Sequence, residues 1–157
     1  MALYRGRRMP CAIGRSGITK AKREGDGATP AGAYELLQVM WRADRGARPR
    51  TALPTSPLSP ADIWSDDPRD PGYNRRHRGR DHSFGHERMW RSDGLYDIVV
   101  ETSHNARPPV PGAGSAIFVH LWRAPLRATE GCVAFSRPDL EWILARWRPR
   151  DRLVIQS

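Results

Sequence analysis

The sequence predicts a mainly β domain with one C-terminal helix and a long irregular insertion, and three observations support this. Only 39% of the 157 residues are apolar, while Gly and Pro number 14 each, too many turn-formers for a helical bundle. The apolar stretches are short and rich in β-branched residues, as strands are. Just one segment, near the C-terminus, carries the three-to-four spacing of a helix face. At this length one domain spanning 1–157 is expected, with enough chain to bury a core without staples.

Residues 9–18 (MPCAIGRSGI) read as a first strand, followed by a polar, Gly-rich turn over 20–30. Residues 34–41 (YELLQVMW) form a second strand. Residues 42–94 are rich in Pro, Arg and Asp and keep no period of either kind. Such a stretch is unusual in a compact domain, so it is expected to be a functional lid or wall anchored by Trp64, Tyr73, Phe84 and Trp90. Regularity resumes at 95–101 (LYDIVVE) and, after a Pro/Gly loop, at 115–121 (SAIFVHL). The second of these is nearly continuous in apolar residues and reads as a central strand covered on both faces. Alternation puts Ala116, Phe118 and His120 on one face and Ile117, Val119 and Leu121 on the other. Residues 131–135 (GCVAF) are a further short strand. Ser136 and Asp139 then form a capping box with Pro138 in the first turn, opening a helix whose face is Leu140, Ile143, Leu144 and Trp147. Pro149 ends it, and 152–156 (RLVIQ) close the chain as a strand.

The net charge is +9, and 24 of the 26 cations are Arg; only Lys20 and Lys22 are Lys. This suits an anionic partner, but the arginines run from Arg5 to Arg152 in no single stripe, which is also how a solvated surface looks. A basic nucleic-acid-binding protein is one alternative, since Trp41-Arg42, Trp90-Arg91, Trp122-Arg123 and Trp147-Arg148 interleave aromatics with cations. No run of 18 apolar residues predicts a membrane span, and the N-terminal segment lacks the apolar core of a secretory leader; a cytoplasmic location is the expectation. There Cys11 and Cys132 are expected as free thiols, Cys11 as a core residue. His82 and His86 have the i, i+4 spacing of a zinc helix, but Ser83-Phe84-Gly85 between them does not favour one, so no metal and no cofactor are expected.

His120, held on a rigid strand, and Cys132, directly after a Gly turn, are the residue types that thiol acyl transfer requires. A thiol with an ordinary pKa of about 8.5 is mostly protonated at neutral pH, and an imidazole can take that proton and return one to the leaving amine. Gly131 lets a substrate approach the backbone, and N–H groups at Gly131 and Cys132 are candidate oxyanion donors.

The blocks Ser115–His120 (SAIFVH) and Thr129–Ala134 (TEGCVA) together resemble the active-site signature of the YkuD-type L,D-transpeptidase family. Residues 25–32 (GDGATPAG) are similar to that family's Gly–Thr-Pro–x-Gly turn, and Trp64-x-Asp66-Asp67-Pro68 and Tyr73-Asn74-Arg75 to a short, single-domain branch. The resemblance implies a β-sandwich catalytic domain in which Cys132 is the nucleophile, His120 the base and acid, and Gly131 with Cys132 the oxyanion donors. Family members attack the L-centre carbonyl of meso-diaminopimelate in a peptidoglycan stem peptide and expel D-alanine. With an amine as acceptor the result is a cross-link or an exchanged D-amino acid; with water the enzyme is an L,D-carboxypeptidase. Without a leader, the expected activity is a cytoplasmic carboxypeptidase trimming recycled tetrapeptides. The family's commoner pattern has His where this chain has Glu130, and Arg or Asn where it has Ala134. Arg75, Arg91 and Arg123 are candidates to clamp the substrate carboxylates, with Thr129 and Glu130 beside the nucleophile as further substrate contacts.

Overall fold

The computed structural model describes residues 1–79 and 81–156. In chain order the strands are β1 (Ala2–Tyr4), β2 (Arg7–Met9), β3 (Ile18–Thr19), β4 (Thr29–Pro30), β5 (Gly32–Tyr34), β6 (Leu36–Trp41), β7 (Thr55–Pro57), β8 (Asp62–Ser65), β9 (Arg76–Arg78), β10 (His86–Arg88), β11 (Ile98–Thr102), β12 (Phe118–Leu121) and β13 (Val133–Phe135). Helix α1 (Arg137–Leu144) and β14 (Leu153–Ile155) complete the chain.

The central sheet has five strands in the order β13-β12-β11-β6-β7. Its middle is antiparallel, with Val99 opposite His120 and Val100 opposite Val39, while β13 and β7 join at the edges in parallel. Because side chains alternate along each strand, the sheet has two different faces. Val39, Val100, Val119, Leu121, Val133 and Phe135 point into a core closed by Leu140, Ile143 and Leu144 of α1. Met40, Val99 and Phe118 point the other way, under Leu58, Trp64, Met89 and Tyr96. His120 shares the Phe118 face, as the alternation in 115–121 predicts.

The helix forms where the capping box places it. Ser136 Oγ accepts the Asp139 N–H at 3.2 Å, and the Asp139 carboxylate accepts the Ser136 hydroxyl at 2.7 Å. Leu140 and Leu144 are fully buried, each contributing roughly 2–3 kcal/mol through burial. The helix stops at Leu144, earlier than Pro149 suggests, yet Trp147 still packs into the core.

Two regions differ from the sequence expectation. The predicted strand over 9–18 is replaced by a β1–β2 hairpin turning at Arg5-Gly6, both with positive φ, and by single bridges at Ala12 and Gly14. Arg-Gly is not the Asn-Gly signature of such a turn, so the hairpin carries no obvious sequence signal. The stretch 42–94 is not structureless: it contains β7 and a three-stranded antiparallel sheet, β10-β8-β9, laid over the Phe118 face. Trp64 packs β8 onto Phe118, and β8 and β9 are tied together by charge. Asp62, 1% exposed, takes the guanidinium of Arg76 at 2.6 and 3.0 Å, that of Arg78 at 3.0 Å and the Ser59 N–H at 2.6 Å. An ion-paired sheet shows no hydrophobic alternation, so periodicity does not reveal it.

Candidate active site

Cys132 lies one residue before β13, and β13 runs parallel to β12 with Val133 beside Val119 and Ala134 beside His120. Continuing that register sets Cys132 beside Phe118. Cys132 and His120 therefore occupy diagonal positions on the same face of adjacent strands. Both line a cavity of about 450 Å³, within the range of small-molecule sites, whose walls also carry Lys22, Glu24, Asp66, Glu87, Arg91, Tyr96, Trp122, Arg123 and Glu130. The far wall comes from the charged 42–94 segment.

The turn before Cys132 is fixed atom by atom. Thr129 Oγ1 accepts the Gly131 N–H at 3.2 Å and donates to the Cys132 carbonyl at 2.6 Å. Gly131 has φ +139°, and a Cβ there would stand 2.9 Å from the Ala28 carbonyl oxygen, so only glycine fits. Ala28 belongs to the Gly–Thr-Pro–x-Gly turn. That turn is tied in by the Gly14 N–H, which donates to Thr29 Oγ1 at 2.8 Å, and residues 13–15 in turn bond the Thr129 backbone. The early turn and the late Cys block are thus one construction.

Around the sulfur, the Cys132 thiol donates to the Ala116 carbonyl at 3.1 Å, and the Phe118 N–H points at Sγ from 3.4 Å. Burial pushes the thiol up to about 12, reinforced by the Glu87 carboxylate and opposed by the Phe118 N–H, Lys22 and Arg91. His120 is 5% exposed. Its Nδ1 lies 2.7 Å from the Leu121 carbonyl, which can only accept, so Nδ1 carries the proton and Nε2 offers the lone pair. Burial brings the imidazole down to about 4, against the Leu121 bond. The Tyr96 ring stands edge-on to it at 5.3 Å, and the Tyr96 hydroxyl donates to Glu87 at 2.7 Å. At rest the pair is thiol and neutral imidazole. Burial thus opposes charge on both groups, the raised thiol and the lowered imidazole alike. A thiol in this state could add to a carbonyl only by losing its proton during the attack, with the oxyanion stabilised in the same step.

The other expected site residues divide. Arg91 and Arg123 line the cavity, and both hold Asp93, at 2.6 and 3.0 Å; Arg91 beside Asp93 keeps that carboxyl low, at about 2. Arg75 is exposed and does not line the cavity, so it is displaced from the expected clamp. Its neighbour Asn74 faces inward instead, accepting from Trp64 Nε1 at 2.9 Å and from the Ala116 N–H at 3.1 Å. Thr129 holds the turn through its side chain, and Glu130 sits at the rim paired with exposed Arg15 at 2.8 Å. The Gly131 N–H, expected to be an oxyanion donor, is already taken by Thr129. His86 lies on strand β10, so the His82–His86 spacing does not form a zinc helix; among the described residues no group of His, Cys, Asp and Glu is placed to hold a metal. Cys11 packs against the helix-side core. Of the Trp–Arg pairs, Arg42 is buried and stacked over Trp90, and Trp147 is in the core. No described helix is long and apolar enough to cross a membrane.

Lys22, Glu87 and Tyr96 also line the cavity, and no local sequence pattern marks them as site residues. The one signal for Lys22 was its rarity, as one of two lysines among 24 arginines.

Comparison with curated proteins and with solved structures gives no match. A family model for the L,D-transpeptidase catalytic domain, YkuD, matches residues 3–155, nearly the whole chain. A cysteine and a histidine on one sheet face, a Gly–Thr-Pro turn locked to the Cys132 loop and a match of that length lead to one conclusion: the chain belongs to the L,D-transpeptidase family of peptidoglycan enzymes.

Proposed function

We propose that the chain is an L,D-carboxypeptidase that removes the terminal D-alanine from peptidoglycan tetrapeptides by way of a thioacyl-enzyme at Cys132. The observation that carries this reading is the diagonal placement of Cys132 and His120 in one cavity. Cys132 Sγ attacks the carbonyl of the L-centre while its proton passes to His120 Nε2. Collapse of the tetrahedral adduct breaks the C–N bond, and the departing D-alanine amine takes the proton from His120. Water then attacks the thioester, losing its proton to His120, and the sulfur leaves and is reprotonated.

The cavity, about 450 Å³, is of small-molecule size, and water is the acceptor proposed for it. Arg91 and Arg123, both on the cavity wall, are the candidates to meet the substrate carboxylates.

The test is incubation of the purified protein with a defined murotetrapeptide, followed by mass analysis. Release of D-alanine and tripeptide in water alone supports the proposal. No release in water, with cross-linked or exchanged product once an amine or D-amino acid is added, assigns the transpeptidase reaction instead.

A further inference from the structure

Building on the reading of Cys132 as a thiol nucleophile, we infer that Lys22 is a catalytic residue whose ammonium stabilises the oxyanion formed when the sulfur adds to the substrate carbonyl. The Gly131 N–H, one of the two backbone donors expected for that task, is spent on Thr129 Oγ1. Lys22 occupies the space beside it. Its Nζ lies 3.4 Å from where a Cβ on Gly131 would be, and its stem packs against Gly114, where a Cβ would meet Cγ at 2.8 Å and Cε at 2.9 Å. The missing side chains at 114 and 131 therefore make room for this lysine. Lys22 lines the cavity with Cys132 and His120, yet its side chain is only 8% exposed.

The head group is also fixed. Nζ is paired with the Asp26 carboxylate, which is itself held by the Ala28 N–H at 2.9 Å and the Arg23 N–H at 2.8 Å. A charge held in advance need not reorganise during the reaction, which is what makes an oxyanion donor effective. Its field already acts on the sulfur, opposing the rise of the Cys132 thiol. The choice of residue fits as well: a chain with 24 arginines places a lysine here, where a compact ammonium rather than a wide guanidinium fits over a glycine backbone.

In the step itself the Cys132 S–C bond forms, the carbonyl π pair moves onto oxygen beside Nζ, and the thiol proton goes to His120. Collapse returns the pair to the carbonyl and expels the amine, which takes that proton. Lys22 keeps its three hydrogens throughout and lends only charge and hydrogen bonds.

The experiment compares the native protein with Lys22→Met and Lys22→Gln. D-alanine release from the tetrapeptide is measured for kcat and KM, and alkylation of Cys132 by iodoacetamide is followed on its own peptide by mass, without substrate. The expected result is a fall in kcat of about 10²–10³-fold with KM within about threefold, because the contact exists chiefly in the transition state. Alkylation at a fixed alkaline pH is expected to slow severalfold, as the thiolate loses its ammonium. Native kcat and native alkylation in both variants overturn the inference, and so does a rise in KM with kcat unchanged. If the native protein releases no D-alanine, the substrate reading fails while alkylation still decides the case for Lys22. Should melting curves show both variants unfolded, Asp26→Asn frees the ammonium from its carboxylate while leaving one oxygen to accept one of the two backbone N–H groups. It is then expected to lower kcat at constant KM, and a native kcat overturns the inference.

Discussion

The two faces of the central sheet are built from the same strands yet follow different rules. On the helix side, Val39, Val100 and Val119 meet Leu140, Leu144, Phe135 and Trp147 in an apolar core. On the opposite side, one residue along each strand, Met40, Val99 and Phe118 lead to His120 and Cys132 and are roofed by a sheet pinned through Asp62, Arg76 and Arg78. One face holds the fold together and the other carries a cavity lined with charge. The contrast teaches that the candidate site lies on the strand face whose apolar cover, Trp64, Met89 and Tyr96, is itself tied down by ion pairs, while the helix-side face is covered by one continuous apolar layer.

Substitutions can break or sharpen that contrast. The largest effect is expected from Cys132→Ala, which should abolish D-alanine release, by about 10⁴-fold or more, with little change in melting temperature, as kinetics and calorimetry on one sample will show. Next comes Asp62→Ala. It strips a buried carboxylate from two arginines and should cost about 3–5 kcal/mol in urea unfolding, with a loss of activity larger than that of any helix-side variant of equal stability. On the other face, Leu140→Ala should cost about 2–5 kcal/mol by cavity formation, yet leave kcat/KM close to native at a temperature where the variant is folded.

A pH effect follows from His120. Burial holds its folded pKa near 4, below the ordinary value of about 6.5, so the unfolded chain takes up this proton first as pH falls. The stabilisation is complete above about pH 6.5 and lost on the way down to 4, by up to about 3 kcal/mol. Unfolding midpoints at pH 7 and pH 5 should therefore differ less in His120→Gln than in the native protein. The smallest effects separate the arginines: Arg123→Lys should raise KM severalfold, whereas Arg75→Lys, outside the cavity, should leave kinetics unchanged.

The legibility of the molecule in its sequence follows the same division. The 115–121 strand, the Ser136 cap and the Leu140–Ile143–Leu144 face were readable because apolar period and capping chemistry are local signals. Strand alternation already puts His120 on the Phe118 side, where the structure brings it near Cys132. The roof was not readable, since its strands are three or four residues long and tied by Asp62, a contact that has no period. Lys22 was hidden for a related reason. Its partner in space is Gly131, more than a hundred positions later, and only the absence of side chains at Gly114 and Gly131 records the approach. Arg75 was misplaced because, beside Asn74 at positive φ, it turns outward while Asn74 turns in.

Whether the sulfur of Cys132 becomes acylated can be read directly from the intact mass of the protein quenched during turnover with a tetrapeptide. An adduct equal to the substrate less D-alanine, mapped to the Cys132 peptide and absent from Cys132→Ala, is the predicted result. D-alanine released with no adduct on any quench time scale and undiminished in Cys132→Ala, or an adduct mapped to another residue, would contradict it.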